Sequence, residues 1–168
     1  MRRLVRETDA PLVLDADGLN ALAGHIDELA AQRDAPWLLT PHAGEFRRLA
    51  GGDVALVDRV RVVQEYADQW GAVCLLKGAP SIVAGPEGRA FVGSITPPAL
   101  ATAGTGDVLA GQCVGLLAQG VPPLEAAAAA LHIGAAAAER YGATHDSRSM
   151  AATDLLDTIP RVAAERFA

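Results

Sequence analysis

Aromatic residues are scarce in this 168-residue chain, with two Trp, two Tyr and three Phe, 4% of the total. So few rings leave the core to Ala, Val and Leu. A chain that is 51% hydrophobic can supply them, and its length suits one domain with a real core. Positive charge is also short: 14 Lys and Arg stand against 20 Asp and Glu, a formal net charge of -6. No basic stripe offsets that balance, which excludes a general nucleic-acid binder. An anionic ligand must therefore be held locally, by backbone amides and a few cations. Cysteine is limited to Cys74 and Cys113, both in apolar runs without metal-ligand spacing. The expectation is two free, buried thiols in a reducing compartment rather than a disulfide. No apolar run approaches the ~18 residues of a membrane span. The basic start, Met1-Arg2-Arg3, lacks the apolar stretch of a signal peptide. These absences describe a cytoplasmic protein of small molecules, with neither nucleic acid nor membrane as partner.

What is present is an alternation of short apolar runs with helical patterns, the pattern of a layered α/β sheet. Strands are predicted over 12–14, 37–39 and 72–76. Two more, 81–84 and 89–92, flank Gly85-Pro86-Glu87-Gly88 as a hairpin. Helices are predicted from about 18, over 26–32 and over 45–49, the last stopping at Gly51-Gly52. Leu56, Val60, Val63 and Ala67 share one helical face within 56–70. A further helix runs to about 119, where Gly111 and Gly115 share a face and permit close packing on a neighbour. Pro122 opens an alanine-rich helix to about Tyr141, a polar loop covers 142–149, and Thr153 caps a short final helix. There is no internal repeat and no linker, so 1–168 reads as a single domain.

The segment richest in chemistry is Ala101-Thr102-Ala103-Gly104-Thr105-Gly106-Asp107-Val108-Leu109-Ala110-Gly111. Gly104 and Gly106 allow a ligand close to the backbone. The helix that follows aims unpaired N–H groups and its positive dipole end at the turn, which suits phosphate. Asp107 at the rim either accepts a proton from a substrate hydroxyl or caps the helix.

Three more motifs fall at predicted strand ends, where open α/β sheets bind ligands. Asp15, Asp17 and Asn20 are either outer ligands for Mg²⁺ or helix caps. His42 either contacts a polar substrate group or caps a helix. Glu45 pairs with a metal-bound water or simply favours the helix dipole. Lys77, ahead of Gly78-Ala79-Pro80-Ser81, either reaches a phosphate or turns out at the strand end. His132 reads as structural. A parallel sheet would bring all four motifs to one edge.

Taken in order, Val13-Leu14-Asp15-Ala16-Asp17-Gly18-Leu19-Asn20, Thr40-Pro41-His42-Ala43-Gly44-Glu45, Leu76-Lys77-Gly78-Ala79 and the glycine turn resemble the ADP-dependent NAD(P)H-hydrate dehydratases. These are carbohydrate-kinase-like repair enzymes, and the resemblance covers nearly the whole chain. It implies a ribokinase-like α/β fold, three layers α/β/α with a mainly parallel sheet. It also implies an activity: the hydrates NADHX and NADPHX are returned to NADH and NADPH, with ADP (or ATP) as phosphoryl donor and Mg²⁺ assisting. With ADP the other products are AMP and phosphate. On matching positions, Asp107 would be the catalytic base, and Gly104, Thr105 and Gly106 the anion hole. Lys77, Gly78, Ala79, Pro80, Ser81 and Gly106 would contact the nucleotide, and His42 with Asp107 the hydrate. No metal ligand is assigned.

The chain departs from the family at Ile95-Thr96-Pro97-Pro98-Ala99-Leu100, where relatives often carry an Asn- and Gly-rich stretch, and at Ser81, where Thr is common. The family also has further strands and helices ahead of Leu12. The chain therefore reads as the carboxy-terminal part of the domain, its sheet truncated at the amino end. An open sheet edge invites pairing, so the expected partners are a second copy of the chain in a homo-oligomer, the missing amino-terminal segment, or an epimerase domain. Two alternatives compete with the dehydratase: a small-molecule kinase of the same fold, and a non-catalytic nucleotide-binding remnant needing a partner chain.

Overall fold

In a computed structural model, residues 1–31 and 35–167 are described. The chain runs α1 (Arg2–Glu7), β1 (Leu12–Leu14), α2 (Asp17–Asn20), α3 (Ile26–Ala30), β2 (Trp37–Leu39), α4 (Ala43–Leu49) and α5 (Arg59–Gln69). It continues through β3 (Val73–Leu76), β4 (Ile82–Ala84), β5 (Ala90–Val92), α6 (Thr105–Ala118), α7 (Pro123–Gly142) and α8 (Ala152–Phe167). Spatial order follows chain order, β1-β2-β3-β4-β5. The first three strands are parallel, and β4 and β5 add an antiparallel hairpin.

Alternation along the strands divides the apolar residues between two faces. Trp37, Leu39, Cys74, Leu76, Ile82 and Ala84 face α2 to α5, meeting Leu19, Leu22, Phe46, Leu49, Val63 and Ala67. Leu38, Val73, Leu75 and Val83 face the other way, onto Cys113 of α6 and Leu124, Ala127 and Ala130 of α7. A third cluster joins Ala136, Ala137 and Ala138 of α7 to Leu155 and Val162 of α8. The result is the expected α/β/α layering. Phe46, Tyr66 and Trp70 gather in one knot, with ring centroids 5.1 to 5.4 Å apart.

Several boundaries differ from expectation, each for a local reason. The helix expected over 56–70 starts at Arg59, because the Asp58 carboxylate accepts from Arg61 N at 3.2 Å and caps it. The final helix is not short: α8 has 16 residues and continues through Pro160. Its apolar packing on α7 outweighs the proline's missing hydrogen bond. Asp154, not Thr153, serves its first turn by accepting from Ala151 N at 2.8 Å. Gly111 and Gly115 face open space, with no heavy atom within 4 Å of an added Cβ, so the close packing expected there is not made within the described residues. The helix expected over 26–32 ends at Ala30, and its last position, Gln32, lies outside the described residues.

Both cysteines are free and buried, Cys74 in β3 and Cys113 in α6. Burial pushes both thiols up, Cys113 to about 12, so thiolate is scarce at neutral pH. Neither is expected to react with a disulfide reagent in the folded protein, and both should react on unfolding. One fast-reacting thiol under native conditions would contradict this burial.

Candidate active site

The three parallel strands end on one edge, and their exits are stitched together. Thr40 N donates to Leu14 O at 3.1 Å, and Lys77 N to Pro41 O at 2.8 Å. His42 and Lys77 form a parallel bridge just beyond β2 and β3. This stitching sets Asp15, His42 and Lys77 side by side. The Lys77 ammonium crosses the end of β2 to Asp15, Nζ to Oδ1 2.7 Å, and lies 3.9 Å from Glu45 Oε2. The α6 start closes the group: a Cβ on Gly106 would lie 3.6 Å from Lys77 Nζ and 4.0 Å from Asp15 Oδ2.

His42 and Glu45 form a reciprocal cap on α4. His42 Nδ1 accepts from Gly44 N at 2.9 Å and Glu45 N at 3.2 Å, while Glu45 Oε2 accepts from His42 N at 2.8 Å. With Nδ1 accepting, a neutral imidazole carries its proton on Nε2, which lies 3.4 Å from Glu45 Oε1. A Cβ on Gly44 would come within 2.9 Å of the His42 ring, so glycine there lets the ring fold back onto the helix. His42 is thus a cap, and its side chain is still 55% exposed towards the cavity described below.

Asp15 does not cap α2, which has no side-chain cap. It opens a turn closed by Gly18 N donating to Asp15 O at 2.9 Å. Ala16 occupies the second position at φ 48° and ψ -119°, a conformation that favours glycine. Ala16→Gly is expected to stabilise the fold by about 1 kcal/mol, since relief of strain outweighs the added chain entropy. Urea denaturation checks this; a loss of stability would contradict the strain. Asn20 bridges helices, its Oδ1 accepting from Arg48 Nε at 3.0 Å.

Beyond Lys77 the chain folds back on itself. Ser81 Oγ accepts from Gly78 N at 3.1 Å and donates to Gly78 O at 2.9 Å, closing the 77–81 loop. Arg59 supports it from below, Nη2 to Lys77 O 3.4 Å. At the glycine turn, Gly104 adopts φ 88° before α6. The Thr105 hydroxyl is spent on Leu100 O (2.7 Å) and Thr102 O (2.8 Å), and its N–H donates to Thr102 O at 3.3 Å. The amides of Gly106 and Asp107 have no partner among the described residues. They are the donors open to an anion at the helix start.

A cavity of about 750 Å³ opens beside this edge, within the usual range for a small-molecule site. His42, Lys77, Gly78, Ala79, Ser81, Thr105 and Gly106 line it; Pro80, Gly104 and Asp107 do not. Asp107 stands exposed on the first turn of α6. Phe91 of β5, Ile95, and Leu131 and His132 of α7 also line the cavity; in the sequence His132 reads as structural, and neither Phe91 nor Leu131 is singled out. Phe91 is 42% exposed, an unusual use of one of three phenylalanines, and in the sequence it reads as an ordinary strand residue with no signal of this role.

Helices on both faces, ligand-type residues at the carboxyl ends of parallel strands and a glycine turn opening a helix place this chain in the ribokinase-like class. A ribokinase-like superfamily protein from Enterococcus faecalis, 22% identical, has the same fold, with a TM-score of 0.69 over 98% of this chain and 66% of its own. Within that class the chain belongs to the NAD(P)H-hydrate dehydratase family, also called Carb_kinase, which matches residues 1–161. It is 80% identical over 167 residues to the bifunctional NAD(P)H-hydrate repair enzyme Nnr of Salinibacter ruber, covering 99% of this chain and 31% of that protein. The Nnr enzyme of Moorella thermoacetica is 41% identical over 164 residues, 96% of this chain and 31% of its own length. The ADP/ATP-dependent NAD(P)H-hydrate dehydratase from Bacillus subtilis, co-crystallised with ATP and Mg²⁺, is 34% identical with a TM-score of 0.84. That match covers 98% of this chain and 57% of the B. subtilis protein. The chain therefore spans about a third of the length of these Nnr relatives.

Proposed function

We propose that this chain dehydrates the NAD(P)H hydrates NADHX and NADPHX to NADH and NADPH, using ADP as phosphoryl donor and releasing AMP and phosphate. One observation carries the reading. The four motifs of the family meet on one sheet edge, where unpartnered amides at the α6 start adjoin the Lys77 ammonium and the cavity.

In this reading the 77–81 loop and Gly106 seat the nucleotide, and His42 contacts the hydrate. Asp107 removes the proton from the hydrate hydroxyl, whose oxygen takes the terminal phosphoryl group of ADP as AMP leaves. Backbone amides at Gly104, Thr105 and Gly106 stabilise the charge on that group, with the Thr105 amide first turning from Thr102 O. Phosphate then departs with the electrons of the former C–O bond, pushed out by the ring-nitrogen lone pair, and loss of a ring proton restores the dihydronicotinamide. Among the described residues no three His, Cys, Asp or Glu side chains gather as a metal cage. Mg²⁺ bound with nucleotide phosphates needs only one or two carboxylates. Asp15 is already engaged by the Lys77 ammonium, so Glu45 would supply one, and the ion would neutralise phosphate charge.

The test is recovery of NADH absorbance by the purified chain with NADHX, Mg²⁺ and ADP, and with ATP in parallel. Recovery that depends on nucleotide is the expected result. A stable phosphorylated alcohol would instead identify a small-molecule kinase. Nucleotide binding without recovery would identify a remnant that needs a partner. That last reading draws support from the 57% coverage of the B. subtilis protein and from β1, which among the described residues lies at the edge of the sheet. That edge position also supports a homo-oligomer or pairing with an amino-terminal segment, and the bifunctional relatives support an epimerase domain in the same assembly. Two buried free thiols support a cytoplasmic location, and no helix among the described residues is long and apolar enough to cross a membrane.

A further inference from the structure

Lys77 is the sole lysine in the chain; every other basic side chain that carries permanent charge is an arginine. Its ammonium sits where a cation is least at ease. It lies 3.6 Å from the Cβ position of Gly106, against the first turn of α6, the end that carries the helix's partial positive charge. The side chain is only 23% exposed, so water does little to offset that repulsion. Two carboxylates do: Asp15 at 2.7 Å and Glu45 at 3.9 Å. Asp15 makes the direct hydrogen bond and is 14% exposed.

We infer that Asp15 is a positioning residue that pins the Lys77 ammonium against the α6 start, so that the cation is in place before a phosphoryl oxygen arrives. A cation that had to travel in from solvent at each turnover would cost reorganisation, and catalytic electrostatics gain most from charges already fixed. The Asp15 turn is itself held tightly, with Ala16 kept in a glycine-like conformation beside it. The carboxylate reaches Lys77 over the end of β2, so one ion pair ties the exit of β1 to that of β3. This inference rests on the nucleotide reading above for its function, but the pinning itself is a property of the free chain.

Two measurements test it, and the first needs no activity. With a single lysine, acylation of the protein by an amine reagent at sites other than the α-amine reports Lys77 alone. Asp15→Asn should expose the ammonium and speed its acylation about tenfold, whereas Asp15→Glu, keeping the charge, should preserve protection. Unchanged acylation in folded Asp15→Asn, or lost protection in folded Asp15→Glu, overturns the pinning. The second measurement is a double-mutant cycle with Lys77→Met on NADH recovery. Asp15→Asn should lower kcat roughly 10²-fold, as for loss of one preorganised donor, without raising KM for ADP. On the Lys77→Met background it should change kcat by less than about twofold if Asp15 acts only through Lys77. An equal loss on both backgrounds, or a raised KM with kcat intact, overturns the positioning role. A chain that neither binds ADP nor restores NADH sinks the proposed function, while the acylation result still decides the pinning.

Discussion

Asp107→Ala is expected to slow NADH recovery about 10²–10⁴-fold, the range for loss of a positioned general base. The prediction is sharp because the side chain does little else. Asp107 is exposed, and among the described residues it makes no side-chain hydrogen bond and no ion pair. Its favourable place at a helix start is worth only about 0.3–1 kcal/mol, so the variant should fold and melt close to the parent. Nucleotide affinity should hold within about threefold, because at this turn the backbone amides, not the carboxylate, would meet phosphate. Turnover near the parent rate would remove Asp107 from the mechanism and leave its carboxylate an ordinary first-turn residue.

Phe46→Ala should have the largest effect on stability, a loss of about 3–5 kcal/mol measured by urea denaturation. Phe46 is fully buried and packs edge-on against Tyr66 at 5.2 Å and tilted against Trp70 at 5.4 Å. In a core built mostly of aliphatic side chains, this knot is where α4 and α5 lock to each other over the sheet. Loss of the ring leaves a void that alanines cannot fill, against a total stability of about 5–15 kcal/mol. The same helix carries His42 at its first turn, so the variant should also loosen the site before it unfolds. A loss under about 1 kcal/mol would show that Tyr66 and Trp70 close the gap by repacking.

The parallel strands were legible because strands buried on both faces are short continuous apolar runs. Trp37-Leu38-Leu39 is such a run, and it forms β2 without adjustment. The glycine turn was legible for a different reason, since Gly104 takes the left-handed conformation its position demands. His42 shows where sequence reasoning divides needlessly: capping and facing the cavity looked like alternatives, and one imidazole does both. The pairing of Asp15 with Lys77 could not be read, because 62 residues separate them and only the strand order makes them neighbours. Phe91 was missed likewise, since a cavity wall built from β5 and α7 leaves no periodic mark in either segment.

The sheet's order has a consequence for how the molecule comes into being. Each strand pairs with the one made just before it, so the sheet can grow in the direction of synthesis without waiting for distant segments. The glycine turn and α6 follow only after β1 to β5 have been made. A nascent chain on the ribosome therefore makes the Asp15 carboxylate and the Lys77 ammonium first and the amides of Gly106 and Asp107 facing them afterwards.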